Sequence, residues 1–198
     1  MNIVIRRTGL WSSIVILVTL AFASSVAAQE QSFTLDAAKT TVSFTLDATL
    51  HGVHGTFKAK GGTIHFDPKS GAASGKILVD ATSAESGNDG RDHKMHKEIL
   101  ESEKYPEISF SPTHITGTVS PGSTIRLEGV FHIHGANHPM SLSVPLETNG
   151  DALSAKLHFE VPYVTWGMKN PSTFVLRVGK EVSIDIVATG HLTASPQK

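Results

Sequence analysis

Apolar and polar residues alternate with a period of two along most of the chain between Phe33 and Leu192. The alternation is clearest in residues 42–46, 77–79, 125–133, 140–146, 153–161 and 182–186. Successive side chains of a β-strand point to opposite faces, so this pattern predicts strands with one buried face and one solvated face. About eight such strands follow one another, which favours an antiparallel barrel or a sandwich over a βαβ fold.

The segments between the predicted strands have the composition of tight turns. They include Asp67-Pro68-Lys69-Ser70-Gly71, Ser120-Pro121-Gly122-Ser123 and Asn149-Gly150-Asp151. Proline presets φ for a turn, and glycine or asparagine accepts positive φ, so we expect hairpin connections. The pair Gly61-Gly62 lies inside a strand pattern and predicts a bulge or a sharp bend. The interior of an eight-stranded barrel is either filled by side chains or holds one small apolar ligand, and the pattern alone leaves both open.

Residues 82–110 interrupt the alternation with a polar loop, a short helix and a return to strand. Asn88 or Asp89 can cap a helix that we expect to span about residues 91–102. Met95, Ile99 and Leu100 share one face at helical spacing, and this face should pack on the sheet. The helix is therefore a candidate lid.

Asp92 and His96 are four residues apart and fall on or beside the packing face of this helix. Such a pair is favourable on a helix and would orient the imidazole. One interpretation places Asp92, His96 and Arg91 at a barrel mouth, where they hold a polar head group. The other interpretation is a capping aspartate and a histidine whose hydrogen bonds are satisfied within the fold.

The first residues have the organisation of a secretory signal. Arg6 and Arg7 precede an apolar run over residues 10–26, and Val26-Ala27-Ala28 is a small-residue cleavage site. We expect a signal peptide at 1–28, a barrel domain at 29–192 and a flexible tail at 193–198. The apolar run is shorter than the ~20 residues of a typical membrane-spanning helix, which makes an uncleaved anchor the less favoured alternative and leaves no expected membrane span after cleavage.

Charge and composition exclude several function classes. The full chain has 17 lysines and arginines against 18 acidic residues, and removal of Arg6 and Arg7 leaves 15 against 18, a formal charge of −3. Nucleic-acid binding needs a basic patch, so no nucleic-acid partner is expected. The chain contains no cysteine, which removes disulfides and thiol chemistry.

Enzyme motifs are also missing from the sequence. There is no G-x-S-x-G elbow, phosphate-binding loop or dinucleotide fingerprint, so we expect no catalytic residue and no cofactor. The chain has 11 histidines, and we expect His132 and His134, two residues apart, to lie on one strand face at a spacing that can chelate a metal. That face is expected to be the solvated exterior, and no H-E-x-x-H element occurs, so we expect no dedicated metal site.

Several motifs in a fixed order resemble the YceI-like family of exported lipid-binding proteins. The motifs are Phe33-Thr34-Leu35-Asp36, Gly55-Thr56-Phe57 with residues 62–68, Asn88-Asp89-Gly90-Arg91-Asp92, residues 95–100, residues 105–110, residues 129–139, residues 161–167 and residues 178–182. They cover roughly 32–192, nearly all of the chain after the predicted signal. Thr40-Thr41 departs from the His-Ser that many members carry at this place. The resemblance therefore indicates the head group of a bound lipid less well than its apolar tail.

The resemblance implies an all-β, antiparallel, eight-stranded lipocalin-like barrel with one inserted helix. Its lumen would hold a polyisoprenoid or a fatty-acid derivative for transport, storage or sequestration, in the periplasm or outside the cell. Whether two copies form a homodimer is left open by the sequence. The residues we expect in the lumen are Phe44, Leu46, Phe57, Ile77, Phe110, Leu127, Phe131, Leu142, Leu157 and Phe159; Arg91, Asp92 and His96 are expected at the mouth. Two alternatives remain: a periplasmic metal-binding protein or metal-dependent hydrolase that uses the paired histidines, and a structural barrel with a filled core.

Overall fold

The structure is a computed structural model that describes residues 30–49, 52–149, 152–174 and 176–194. The strands are β1 (Gln31–Leu35), β2 (Thr41–Leu46), β3 (Val53–Phe66), β4 (Ala73–Glu85), β5 (Glu107–Thr116), β6 (Thr124–Ile133), β7 (Ala136–Asn149), β8 (Ala152–Val161) and β9 (Val182–Ala194). Strand β9 extends two residues into the segment that we expect to be a tail, and the predicted signal peptide lies outside the described residues.

The strands form a closed antiparallel barrel with eight positions, which confirms the eight-stranded barrel that the family resemblance implies. Strand β3 continues through β4, β5, β6, β7 and β8 to β9, each paired with the next. The remaining position between β3 and β9 is shared: β1 pairs with one half of both neighbours, and β2 pairs with the other half. Closure leaves every strand with two neighbours and so removes the exposed edges of an open sheet.

A single 3₁₀ turn, Ala37–Lys39, separates β1 from β2 within that shared position. The Asp36 carboxylate accepts a hydrogen bond from the Ala38 amide at 3.1 Å and caps the turn. The Thr40 hydroxyl then accepts from the Thr189 amide at 3.2 Å, which fixes the turn to β9. The two short strands therefore behave as one interrupted strand.

The bulge predicted at Gly61-Gly62 is present where β3 pairs with β4. The register shifts between Ala59 and Gly61, and both glycines have positive φ, 104° and 134°. A Cβ on Gly62 would lie 2.1 Å from the Lys76 carbonyl oxygen, so no other residue fits there without a shift of the backbone.

The inserted helix is present and begins slightly earlier than predicted. Helix α1 spans Asp89–Lys94, and the Asn88 side chain accepts a hydrogen bond from the Arg91 amide at 3.0 Å. A π-helical turn, Met95–Ile99, follows directly and closes with the Leu100 amide donating to the Met95 carbonyl. We call residues 89–99 the helical insert. Within the described residues, no helix has the length and apolarity needed to cross a membrane.

The β6–β7 hairpin corrects the predicted position of His134. The hairpin turns through His134 and Gly135, with φ of 51° and 75°, between the paired residues Ile133 and Ala136. Two successive positive φ values are typical of a type I′ turn. The prediction that His132 and His134 share one strand face is therefore wrong, because His134 is not in a strand.

Candidate functional site

Two adjoining cavities occupy the barrel interior. The inner cavity has a volume of about 150 Å³ and is surrounded by the strands around Ile125, Leu142 and Leu153. The outer cavity has a volume of about 520 Å³ and lies under the helical insert, between Val42 on β2 and Met168 in the β8–β9 connection. The interior is therefore open, which removes the alternative of a completely filled core.

All ten residues predicted to face the lumen line these cavities. The inner cavity is lined by Ile77, Phe110, Leu127, Leu142 and Leu157, and the outer cavity by Phe44, Leu46 and Phe57. Phe131 and Phe159 line both. Their contact with a ligand stays a prediction, but their placement follows from the alternation of each strand.

Phe131 and Phe159 form the main partition between the two cavities. Their rings meet edge to face, with centroids 6.0 Å apart and planes at 75°. Edge-to-face packing at this separation is a favoured aromatic geometry. The other residues that line both cavities are aliphatic: Val79, Ile108 and Ile186. The residues at the boundary between the two cavities are thus all apolar.

The two cavities differ in the size of the ligand that they can hold. An apolar cavity of about 150 Å³ takes a group the size of benzene, whereas sites for drug-sized ligands run from about 300 to 1,000 Å³. The outer cavity is therefore large enough for an extended apolar ligand, and the inner cavity for the end of one. Their walls can bury a hydrocarbon but offer few groups for proton transfer.

Of the three residues predicted at the mouth, Arg91 lines the outer cavity. Its Nε donates to the Ser86 hydroxyl at 2.7 Å, and a terminal nitrogen donates to the Ser86 carbonyl at 2.9 Å. Lys94, three residues further along the insert, lines the same cavity and was not predicted. The helical spacing could have found it, because residues three apart share a helix face.

Asp92 is used to hold the loop before the insert. Both of its carboxylate oxygens lie 3.0 Å from the Ser86 amide, and the Ser86 hydroxyl also donates to it. Partial burial opposes its ionisation, but the hydrogen bonds from Ser86 and the charge of Arg91 outweigh this and hold the pKa of Asp92 below its usual value. Asp92 is absent from the cavity walls formed by the described residues.

His96 joins the insert to β4. Its Nε2 is 2.8 Å from the Ala84 carbonyl and its Nδ1 is 2.9 Å from the Ser102 hydroxyl. A neutral ring satisfies both contacts if Nε2 carries the proton and Nδ1 accepts from Ser102. His96 and Asp92 thus bond to different groups, not to each other, and the second interpretation of this pair, a satisfied histidine, describes the geometry.

An ion pair connects the insert to the loop opposite. Lys169 Nζ lies 2.5 Å from Glu98 Oε2, and this hydrogen bond lowers the pKa of Glu98. Pro171, Leu176 and Val178 of the same loop line the outer cavity, as do Met95 and Ile99 of the insert. The mouth therefore has two sides, one helical and one formed by the β8–β9 connection.

The paired histidines have separate partners. His132 Nδ1 is 2.7 Å from Asn137 Oδ1, and His134 Nε2 is 3.0 Å from Glu101 Oε2. Across the described ranges, no three histidine or acidic side chains come together in a way that could hold a metal ion. His51 lies outside the described residues.

His138 faces the barrel interior, a position that sequence reasoning missed. It is paired directly with Phe131 across β6 and β7, so the two side chains share a face. Its ring stacks on the Trp166 ring with centroids 3.8 Å apart. Its Nε2 is buried without a hydrogen-bond partner among the described residues. Burial, and then the nearby His132, lower the pKa of His138. The period-two pattern of β7, which puts Met140 and Leu142 inside, could have identified it.

The sequence and fold match known proteins. A profile of the YceI-like domain matches residues 33–190. Protein YceI from Escherichia coli is 30% identical over 101 residues, which is 50% of this chain and 51% of that protein, and Protein YceI from Salmonella arizonae is 28% identical over the same length. The chain spans about half the length of the curated relatives it matches.

Two solved structures have the same fold. BcnA from Burkholderia cenocepacia superimposes with a TM-score of 0.63 at 19% identity, covering 78% of this chain and 98% of that one. A polyisoprenoid-binding domain from Saccharophagus degradans gives a TM-score of 0.61 at 14% identity, covering 81% and 98%. At these identities the likeness is one of fold.

Proposed function

Because the chain belongs to the YceI-like domain family, we propose that it is an exported binding protein for a long-chain amphiphile, a polyisoprenoid or a fatty-acid derivative. The observation that supports this most is the outer cavity of about 520 Å³, with aromatic and aliphatic walls. The polyisoprenoid-binding domain of similar fold is consistent with such a ligand.

Burial of the tail supplies the driving force for binding. Each CH₂ moved from water into the cavity contributes about 0.8 kcal/mol, offset by the ordering of the tail. The inner cavity would take the terminal part of a tail that passes the partition of Phe131 and Phe159. The ten lumen residues are the proposed contacts along the tail.

The polar end of the ligand would lie at the mouth beside Arg91 and Lys94. Two cations on one wall favour an acceptor-rich or anionic head group, such as a carboxylate or a phosphate. Of the three predicted mouth residues, Arg91 is retained in this role, whereas Asp92 and His96 act through the loop and the insert that they hold in place.

A binding role is proposed in preference to catalysis. Ser109 is the polar residue of the inner wall, and the outer wall adds Ser86, Arg91, Lys94 and Tyr163. The Tyr163 hydroxyl already donates to the Gly179 carbonyl at 2.7 Å. Such walls support transport, storage or sequestration, and the predicted signal peptide supports a place in the periplasm or outside the cell.

Native mass spectrometry of protein purified without detergent tests this function, together with lipid extraction and titration with a fluorescent isoprenoid. We expect a bound lipid or saturable uptake of the probe. Ile184→Trp puts an indole into the outer cavity and should abolish uptake, since Ile184 lines that cavity. Val187→Trp is the matched control on the opposite, solvated face of β9, where the native side chain is 38% exposed. Wild-type protein that carries no lipid and takes up no probe would refute the proposal.

A further inference from the structure

The loop opposite the helical insert carries a fully exposed aromatic side chain. Phe174 is 98% exposed, the highest value among the exposed large hydrophobic residues of the described chain. Phenylalanine is usually buried, and neighbouring exposed apolar side chains, unlike single scattered ones, mark candidate interaction sites. Leu176, also exposed on one side at 37%, lies close by in the same loop.

Hydrogen bonds define the tip on which Phe174 stands. The Thr173 amide donates to the Leu176 carbonyl at 2.8 Å, and the Leu176 amide donates to the Thr173 hydroxyl at 3.0 Å. Below the tip, the Ser172 hydroxyl accepts from the Val178 amide at 2.9 Å. The residues on both sides of Phe174, Thr173 and Leu176, are thus held by hydrogen bonds.

The base of this turn is tied to the barrel. The Thr49 amide donates to the Arg177 carbonyl at 3.0 Å, and the Gly179 amide donates to the Asp47 carbonyl at 2.8 Å. Pro171, Leu176 and Val178 belong to the wall of the outer cavity. Phe174 therefore projects into solvent at the edge of the mouth.

The same segment is positively charged within a chain that is not. Residues 162–180 contain Lys169, Arg177 and Lys180 and no acidic residue, whereas the full chain has a formal charge of −1. Lys169 is paired with Glu98 and Glu181 follows Lys180 directly, so Arg177 and Lys180 are the cations that this segment offers to a partner. Arg91 and Lys94 add cations on the insert side of the mouth. An exposed aromatic ring beside basic side chains is the composition of surfaces that bind anionic bilayers, where the ring enters the interface and the cations meet lipid phosphates.

We propose that this edge of the barrel, formed by residues 169–174 and 176–180 with Phe174 at its tip, is a docking surface for an anionic lipid bilayer. Phe174 and Leu176 enter the boundary between head groups and acyl chains, and Arg177 and Lys180 contact the head groups. The mouth then faces the bilayer, so that a tail passes between membrane and cavity without crossing water. The purpose of docking rests on the proposed binding of an amphiphile, but docking itself is measurable without any ligand.

Co-flotation with vesicles tests the surface. Wild-type protein should float with phosphatidylglycerol–phosphatidylethanolamine vesicles, less so at high salt and less so with pure phosphatidylcholine. Phe174→Ser should bind the anionic vesicles roughly tenfold more weakly, the factor expected from loss of one buried aromatic side chain. Leu192→Ser is the control: Leu192 is 38% exposed near the other end of β9, beside Phe33, and should leave flotation unchanged.

Three results would overturn the docking surface: no flotation of the wild type, equal flotation of Phe174→Ser, or a wild-type dimer that Phe174→Ser converts to a monomer without any vesicle binding. The last would make this edge an interface between two copies. Uptake of a water-dispersed fluorescent fatty acid separates docking from ligand binding. Phe174→Ser should take up the probe like the wild type, and a wild type that floats but takes up no probe would refute the proposed function while the docking surface stands.

Discussion

Glu101 and His134 are the two non-glycine residues with positive φ in the described chain, and their side chains contact each other. Glu101 Oε2 lies 3.0 Å from His134 Nε2. Glu101 follows the helical insert, and His134 turns the β6–β7 hairpin. The Tyr105 ring packs on the His134 ring with centroids 4.6 Å apart. Two unfavourable backbone conformations are thus held in one contact that joins the insert to the barrel.

Gly135→Ala should destabilise the fold at this contact. Gly135 has φ of 75°, and an added Cβ would lie 2.6 Å from the Tyr105 ring, so the change combines backbone strain with a clash. We expect a loss of roughly 1–3 kcal/mol in the free energy of unfolding, measured by urea titration. Gly122→Ala is the control, because Gly122 has φ of 82° with nothing within 4 Å of the added Cβ. Equal losses for both variants would rule out the Tyr105 clash.

Phe131→Ala should merge the two cavities and shift binding toward longer tails. Phe131 lines both the cavity of about 520 Å³ and the cavity of about 150 Å³, so we expect removal of its ring to open a passage between them. Affinities for fluorescent ligands of increasing chain length measure the change, and the preferred length should rise. Phe57→Ala enlarges the outer cavity alone, since Phe57 lines only that one, and should leave the preferred length unchanged. The same shift in both variants would show that Phe131 is not a partition.

His138 should make stability fall below neutral pH. Its folded pKa is lowered, by burial and then by His132, so the unfolded state takes up a proton first as the pH falls. This contribution is zero above the unfolded pKa, near 6.5, and becomes destabilising below it. Urea titrations from about pH 7.5 to about pH 5, a range that brackets the ordinary pKa of histidine, measure this loss in the free energy of unfolding.

His138→Phe keeps an aromatic ring against Trp166 and should have a shallower loss of stability over that range. The comparison cancels His158, whose pKa is raised by its hydrogen bond to Asp185 and which acts in the opposite direction. Parallel pH profiles for the wild type and His138→Phe would contradict this assignment.

Arg91→Gln should weaken binding of a carboxylate-headed ligand and spare the alcohol with the same tail. The guanidinium is exposed at the cavity mouth, so the effect should be modest, roughly threefold in Kd. Lys97→Gln makes the same charge change on the exposed side of the insert, away from the cavity walls. Competition titrations of the two head groups measure it. An equal loss for acid and alcohol would exclude a charged contact with the head group.

The strand pattern allowed most of the barrel to be predicted, because each inward position, such as Leu127 or Leu142, follows from strict alternation. The turn at His134 was not predicted because two-residue hairpin turns usually contain Asn-Gly or Asp-Gly, and His-Gly is not a typical turn sequence. The helix was predicted from its cap at Asn88, but its end was placed too late, because the π-helical turn and the positive φ of Glu101 leave no periodic signal.

The cavities required the structure. Whether Phe131 and Phe159 fill the lumen or divide it depends on the distance between opposite walls, which single-strand patterns do not encode. The exposure of Phe174 could not be predicted for a related reason, because the sequence around Thr173 and Leu176 is equally compatible with a buried aromatic side chain. Lys94 and His138, by contrast, were within reach of the helical and strand spacing.

The shared barrel position of β1 and β2 determines when the barrel can close. Gln31 pairs with Ala194 and Leu35 with Gly190, so the first and last described strands complete each other's hydrogen bonding. A pairing across so much of the chain has a high contact order and a large loop-closure entropy, which slows folding. The apolar interior therefore stays open until β9 pairs with β1 and β2, and a tail bound before that pairing would be enclosed by the closing strands instead of entering through the mouth.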